Sequence, residues 1–515
     1  MSFRSHNLGS NQCAAHEARA HRQASSSSCY SPQFPCRHRQ SRKGRQQMTG
    51  PQSTSTYIHC SKREVSANGV NGDKSSSAAN NDAGHADSPR KHSLATRLLH
   101  PPKVTQDPYG AVAPPLYQTA IFDQVSAVRC GPYDYTRSGN PTRAQLEAHM
   151  ADLEGAARSF AFASGMAALS VVLRLVRAGQ HVVAGDDIYG GTSRLLAQVA
   201  PGLGIDVTNV DTSDPVALRQ ALKPGLTRLV MLESPTNPRM QICDIKRLTE
   251  LSHEAGALVV VDNSILAPVF QQPLALGADI SMTSATKFIG GHSDITGGIL
   301  SVRDPELATQ VYFFQNAEGA ILGPFECWLA MRGLKTMALR MRRQAATAAV
   351  IARWLAQHPL IRKVNYPGLP DHPGHAVHAA QASAGGSLLS FETGSTEASR
   401  TIAEEAQLFK ITVSFGSVSS LISLPCYMSH ASIPAEVRAS RGLPDDLVRI
   451  SVGIEEPEDL LQDLQQAMQK AMDRIGMTAQ APAADSQLTA QTDREQELLE
   501  RVEVLEARLQ LQDKH

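Results

Sequence analysis

"GALVVVDNS", Gly256–Ser264, is a glycine, five apolar residues and then Asp262, Asn263 and Ser264. A β-branched run without polar alternation reads as a strand covered on both faces. The stretch before it, "DIKRLTELSHEAG", Asp244–Gly256, has apolar residues at helical spacing behind a capping aspartate and a closing glycine. Outward on either side the same material returns: "HVVAGD" from His181, "TRLVMLES" from Thr227 and "ADISMTS" from Ala278, with the helical "GGTSRLLAQVAPGLG" from Gly190 between the first two. Strands alternating with helices predict an α/β fold, a mainly parallel sheet with helices on both faces. Each run ends in polar residues: Asp186 and Asp187, Glu233, Asp262, Ser284. Ligands of such sheets bind beyond the C-terminal strand ends, so four polar ends imply one shared site.

Past Arg340 the pattern changes. "RRQAATAAVIARWLAQHP" is a helix, "GGSLLSFET", "FKITVSFGS" and "DLVRISVGI" read as half-buried strands, and "EPEDLLQDLQQAMQKAM" is a closing helix with acids in its first turn. These predict a smaller α+β C-terminal domain. With 49 basic and 49 acidic residues the formal net charge is zero, which gives no sign of a nucleic-acid partner, and no apolar run approaches a membrane span. Cys130, Cys243, Cys327 and Cys426 are too dispersed for a disulfide framework.

The two ends are different material. Met1–Arg63 holds ten Lys/Arg against one carboxylate, Glu17, and is rich in serine. That composition marks an organelle transit peptide, the alternative being a plain disordered tail, with an Asn/Ser/Gly/Ala-rich linker following. After a second linker, Leu498, Val502, Leu505 and Leu509 form a short heptad seam; self-association helix and exposed amphipathic tail are equally open readings.

Lys287 lies in "SATKFIGGHSD", 25 residues after Asp262. A lysine whose pKa is lowered by burial is a nucleophile toward aldehydes, and pyridoxal phosphate forms a Schiff base with such a lysine while an acid faces its ring nitrogen. Its phosphate needs donors. Ser284 and Thr286 flank the lysine, "FASGMAAL" places Ser164, Gly165 and Met166 at a helix start, and "YDYTRSGNPT" offers Tyr135 and Arg137. Taken singly, each has an ordinary explanation: a solvated lysine, a helix cap, a surface turn.

Together, "YDYTRSGNPT", "SGMAAL", "DDIYGGT", "ESPTNP", "VDNS", "SATKFIGGHSD", "RGLKTMALRM" and "LVRISVGIE" occur in order from about His92 to Ala471 and resemble the Cys/Met-metabolism family of pyridoxal-phosphate enzymes. The resemblance implies a fold-type I, aspartate-aminotransferase-like large domain and a small C-terminal domain. Expected limits are presequence and linker 1–90, an arm contacting a neighbouring subunit 91–150, a cofactor domain 151–340, the α+β domain 341–476, and linker plus short helix 477–515. It further implies that Lys287 bonds the pyridoxal 5'-phosphate, Asp262 faces the ring nitrogen and Tyr189 stacks on the ring. Gly165, Met166, Ser284 and Thr286 would hold the phosphate. Tyr135 and Arg137 would reach the phosphate of the neighbouring subunit in a homotetramer of active dimers. Arg449, Asn237 and Ser414 would bind the substrate carboxylate.

Within the family, "SFGSVSSLISLPCYMSHASIPAEVR", "VDNSILAPV", "VYFFQNAEGA" and "NYPGLPDHPGH" are most similar to the plastid β-lyase branch. Many relatives acting at Cγ carry a glutamate where this chain has Ser419, and a threonine where it has Ser264. The implied reaction is β-elimination of L-cystathionine to homocysteine, pyruvate and ammonia in the chloroplast, with Lys287 as the base at Cα and Lys287, Tyr135 or Tyr189 as proton donor to sulfur. Alternatives are γ-lyase or γ-synthase activity, or a non-catalytic assembly protein on the same fold. His372, His375 and His378 have a metal-like spacing without an accompanying acid or cysteine set, and no metal is expected.

Overall fold

The computed structural model describes residues 92–104, 107–431 and 434–478. The expected presequence and the Leu498–Leu509 seam lie outside them. Seven strands form the larger sheet: β1 Arg158–Phe162, β2 His181–Gly185, β3 Asp206–Val210, β4 Thr227–Glu233, β5 Leu258–Asp262, β6 Ile280–Thr283 and β7 Gly298–Val302. Their order is β1-β7-β6-β5-β4-β2-β3. β3, β2, β4, β5 and β6 run parallel, whereas β7 is antiparallel to both its neighbours.

The unbroken apolarity of the central strands follows from cover on both sides. Val183, Val230, Val259 and Val261 pack with Leu248 and Leu251 of the helix Ile245–Glu254. Val182, Leu229, Met231, Val260 and Met282 pack on the opposite face with Leu169 and Val172 of the helix Gly165–Leu173. Burying each such side chain contributes about 1.5–3 kcal/mol. Local chemistry fixes where the helices begin. Asp244 accepts the Arg247 N–H, Ser164 accepts the Ala167 N–H, and Asn140 with Pro141 opens Pro141–Glu154, which Gly155 closes in the left-handed region at φ 67°.

The smaller sheet contains β8 Lys363–Asn365, β9 Leu388–Glu392, β10 Lys410–Ile411, β11 Leu421–Ser423 and β12 Leu447–Ser451, in the order β10-β11-β12-β9-β8. Helices Met337–Ala356, Thr396–Glu405 and Pro457–Arg474 contribute Trp354, Ile402, Leu460 and Leu464 to one core with Phe391, Val448 and Ile450. Two sequence expectations change here. β12 is buried along its whole length instead of alternately, because its second face closes on the large sheet's ligand end. "FKITVSFGS" pairs only at Lys410–Ile411 and then leaves the sheet, with positive φ at Ser414 (82°) and Gly416 (80°). The expected limits at 150 and 340 both fall inside helices, Pro141–Glu154 and Met337–Ala356.

The histidine run spends its ring nitrogens locally. His375 Nδ1 contacts Pro367 O at 2.8 Å, His378 Nε2 contacts Ala384 O at 2.9 Å, and His372 Nδ1 accepts the Gly374 N–H. Among the described residues no helix is long and apolar enough to cross a membrane.

Candidate active site

The C-terminal ends of the parallel strands open onto one cavity of about 220 Å³. β5 delivers Asp262, β4 delivers Glu233, and the turn after β6 delivers Ser284, Thr286 and Lys287. Gly165 and Met166 line it from the start of their helix, and Tyr189 and Asn237 from loops after β2 and β4. Phe415 comes from the small-sheet loop. Positions from Gly165 to Lys287 therefore converge because parallel strands all end on the same side, and Phe415 joins them from the smaller sheet.

Lys287 donates from Nζ to Ser414 Oγ at 2.5 Å and lies 4.6 Å from the Phe415 ring centroid. Burial, then the Arg449 charge, push its amine down to about 8, while Asp262 opposes them. Such an amine is deprotonated far more often near neutrality than an ordinary lysine. Asp262 accepts the Ser264 N–H at 2.9 Å, and Ser264 Oγ in turn accepts the Ser284 N–H at 2.8 Å, which ties two neighbouring strand ends together. Burial raises the Asp262 carboxyl, and burial followed by the nearby Asp262 charge raises Glu233. A cation set against Asp262 would reverse that direction.

Arg449 is 3 % exposed on β12. It donates to Asn237 Oδ1 at 2.8 Å and to Ser414 O at 2.7 Å, while its buried Nε has no partner among the described residues. Burial lowers it to about 10, so it stays cationic at neutral pH. An orphaned, buried guanidinium N–H asks for an acceptor, and a ligand carboxylate matches it. Beside it, burial pushes His430 down to about 4, so that ring is neutral.

The residues fit pyridoxal 5'-phosphate on their own chemistry. The cavity holds an amine, a carboxylate and a phenol ring, and its far wall is a helix N-terminus where Ser164 Oγ takes the Ala167 N–H. Gly165 and Met166 begin that helix, whose positive end favours an anion. A Cβ on Gly165 would meet Met282 Cε at 2.8 Å, so a side chain here would need the methionine tip to move aside. Behind this turn, a Cβ on Gly298, the first residue of β7, would stand 2.5 Å from Ser164 O and 2.7 Å from Gly165 Cα.

Tyr135 and Arg137 stand apart from the cavity in this chain. Tyr135 is 46 % exposed, and the Arg137 guanidinium lies 5.5 Å from its ring centroid. Sequence reasoning placed Glu233 at the shared strand ends without giving it a role, and missed Phe415 altogether. Phe415 stands directly after Ser414, but its loop read as a strand, so its direction was hidden. Glu233 accepts the Tyr189 N–H at 3.0 Å and the Asn237 N–H at 2.7 Å. Asp187 accepts from Thr236 Oγ1 and from the Arg239 N–H.

Residues 95–469 match the family model of Cys/Met metabolism PLP-dependent enzymes. The chain is 58% identical over 358 residues to a chloroplastic cystathionine β-lyase of Arabidopsis thaliana, covering 70% of this chain and 77% of that one. Identity is also 58% to the chloroplastic cystathionine β-lyase of Mimosa pudica, over 70% of this chain and 79% of the relative. Among solved structures, cystathionine γ-synthase from Xanthomonas oryzae pv. oryzae superposes with a TM-score of 0.73 at 38% identity, covering 75% of this chain and 100% of that one. Cystathionine γ-lyase from Lactobacillus plantarum gives 0.72 at 40%, over 74% of this chain and 100% of its own.

Proposed function

The chain belongs to the family of Cys/Met metabolism PLP-dependent enzymes, and on that footing we propose that it is a carbon–sulfur lyase that cleaves L-cystathionine by β-elimination to homocysteine, pyruvate and ammonia, a step of methionine biosynthesis. The observation that carries this reading is the 58% identity to two cystathionine β-lyases, joined to a cavity in which Lys287, Asp262 and Tyr189 face one another.

Pyridoxal 5'-phosphate, when bound, supplies an aldehyde carbon for the amino group and a cationic ring that accepts the electron pair left at Cα. Asp262 would hold positive charge at its ring nitrogen, Tyr189 would stack on its ring, and Gly165, Met166, Ser284 and Thr286 would hold its phosphate. Arg449 clamps the substrate α-carboxylate, with Asn237 and Ser414 holding the guanidinium in place. Lys287 Nζ, free as an amine at a pKa of about 8, removes the Cα proton. The departing sulfur takes a proton from Lys287, Tyr189 or a neighbouring copy's Tyr135.

Tyr135 and Arg137 complete the phosphate site of a second copy in this reading. The arm supports it: Tyr109, Val112, Val125 and Val128 are each more than nine-tenths exposed, an apolar surface that a neighbouring copy would cover. Assembly as a homotetramer of such dimers and a chloroplast location belong to the same proposal; two relatives are named chloroplastic.

A second reading, elimination or replacement at Cγ, is favoured by the γ-lyase and γ-synthase among the structural neighbours. Product analysis separates them. Cystathionine should give pyruvate and homocysteine with little 2-oxobutyrate; 2-oxobutyrate as the main keto acid would overturn the β-elimination reading.

A further inference from the structure

An unbroken hydrogen-bonded path joins Tyr189 to Lys287. The Tyr189 N–H donates to Glu233 Oε2 at 3.0 Å, and the Asn237 N–H donates to Glu233 Oε1 at 2.7 Å. Arg449 then donates to Asn237 Oδ1 and to Ser414 O, and Lys287 donates to Ser414 Oγ. Glu233 ends β4 in register with Asp262 and is 6 % exposed. Both its oxygens are committed to main-chain N–H groups of two different loops.

A buried carboxylate with a second carboxylate beside it is an expensive choice for a position that could hold a neutral side chain. What it gives is one acceptor oxygen to each of two backbone N–H groups, which an amide in its place cannot match. Tyr189 precedes the short helix Gly190–Arg194 and Asn237 lies in the loop after β4, and strand pairing holds neither residue. We infer that Glu233 is a positioning residue that staples the loop bearing Tyr189 to the loop bearing Asn237, and so sets the ring plane and the substrate-carboxylate clamp relative to each other. This rests on the roles given above to Tyr189 and Asn237. Glu233 moves no proton in this role and touches neither reacting bond.

In Glu233→Gln the amide keeps one acceptor oxygen and turns an NH₂ toward the other N–H, so one of the two bonds is lost. Residue-level hydrogen exchange on the apo-protein should show slow Tyr189 and Asn237 amides in the wild type. In the variant, one or both should exchange about tenfold faster or more, the loss expected when a buried hydrogen bond is broken. In the loaded enzyme, the Kd for pyridoxal phosphate and the KM for cystathionine should rise together by about tenfold, with kcat within about threefold. Fast exchange of both amides in the wild type overturns the inference even if the variant does not fold. So does unchanged exchange in a folded variant, or a fall in kcat at constant KM. Should the protein release no pyruvate from cystathionine, the substrate reading fails, and the exchange and cofactor titration still decide for or against Glu233.

Discussion

Lys287 and Ser414 meet at 2.5 Å, Nζ to Oγ, although 127 residues of chain separate them and they belong to different sheets' loops. Ser414 also accepts from Arg449 through its carbonyl. In the proposed mechanism one residue thus orients both the amine that takes the proton and the guanidinium that fixes the carboxylate. Ser414→Ala removes the hydroxyl and leaves a Cβ at φ 82° as in the wild type, while Ser414→Gly removes the hydroxyl and relieves that strain as well. Both variants should lower kcat by about 10- to 10²-fold, about the worth of one orienting bond to a charged group. Full kcat in Ser414→Ala, where only the hydroxyl is lost, would remove the Lys287–Ser414 bond from any orienting role.

The amine of Lys287 should react as a base of pKa about 8. Below that pH it is protonated and inert, and its labelling by an amine-reactive reagent in the apo-protein should climb as pH rises through about 8 and then level off. Ordinary lysines continue to climb toward about 10.4. Lys287→Ala should abolish borohydride fixation of the cofactor to the peptide spanning 284–294 and lower turnover by at least about 10²- to 10⁴-fold. Fixation at another lysine, read by peptide mass, would displace Lys287 from its role.

Arg449→Lys keeps the charge and loses the planar fork that reaches Asn237 and Ser414 together. The expected result is a KM for cystathionine raised about 10²-fold, equivalent to about 2–3 kcal/mol. An unchanged KM would remove Arg449 from the carboxylate site.

Glu154, the last residue of Pro141–Glu154, is 2 % exposed. Neither of its oxygens has a hydrogen-bond partner among the described residues. Burial pushes it up to about 8, with the Ser281 hydroxyl pulling slightly the other way. The folded chain therefore keeps a proton that the unfolded chain releases near pH 4.5, and stability falls as pH rises from there to about 8. Each pH unit across that window is worth about 1.4 kcal/mol at most. Glu154→Gln should flatten the decline and be the more stable protein at pH 8 to 9 by thermal or urea unfolding; parallel pH profiles would refute it.

Mixed subunits test the shared site. Lys287→Ala and Arg137→Ala proteins, each nearly inactive, should regain up to about a quarter of wild-type activity after co-refolding, because a hybrid dimer contains one intact site. No regain would mean that Arg137 serves its own chain or none.

The parallel core was legible because four adjacent strands, β6, β5, β4 and β2, are covered on both faces and so carry nearly unbroken apolar runs, as Val259–Val261 does, whereas the edge strand β3 is polar and partly exposed. Asp262, Lys287, Gly165 and Asn237 were legible from motif order, and all line the cavity. Phe415 and the Ser414 bond were not. A loop with two positive-φ residues leaves the same alternating pattern as an edge strand until its partners are known. Glu233 was visible as a polar strand end, but nothing in a one-dimensional pattern says that both carboxylate oxygens bind backbone from two separate loops.

β7 contributes no functional group, yet it runs against its neighbours and presses Gly298 onto Ser164 and Gly165. A single methyl added there would displace the turn that, in the proposed site, faces the phosphate. A limit on cofactor capture is then set from behind, at a position that inspection of ligand-facing side chains alone would pass over.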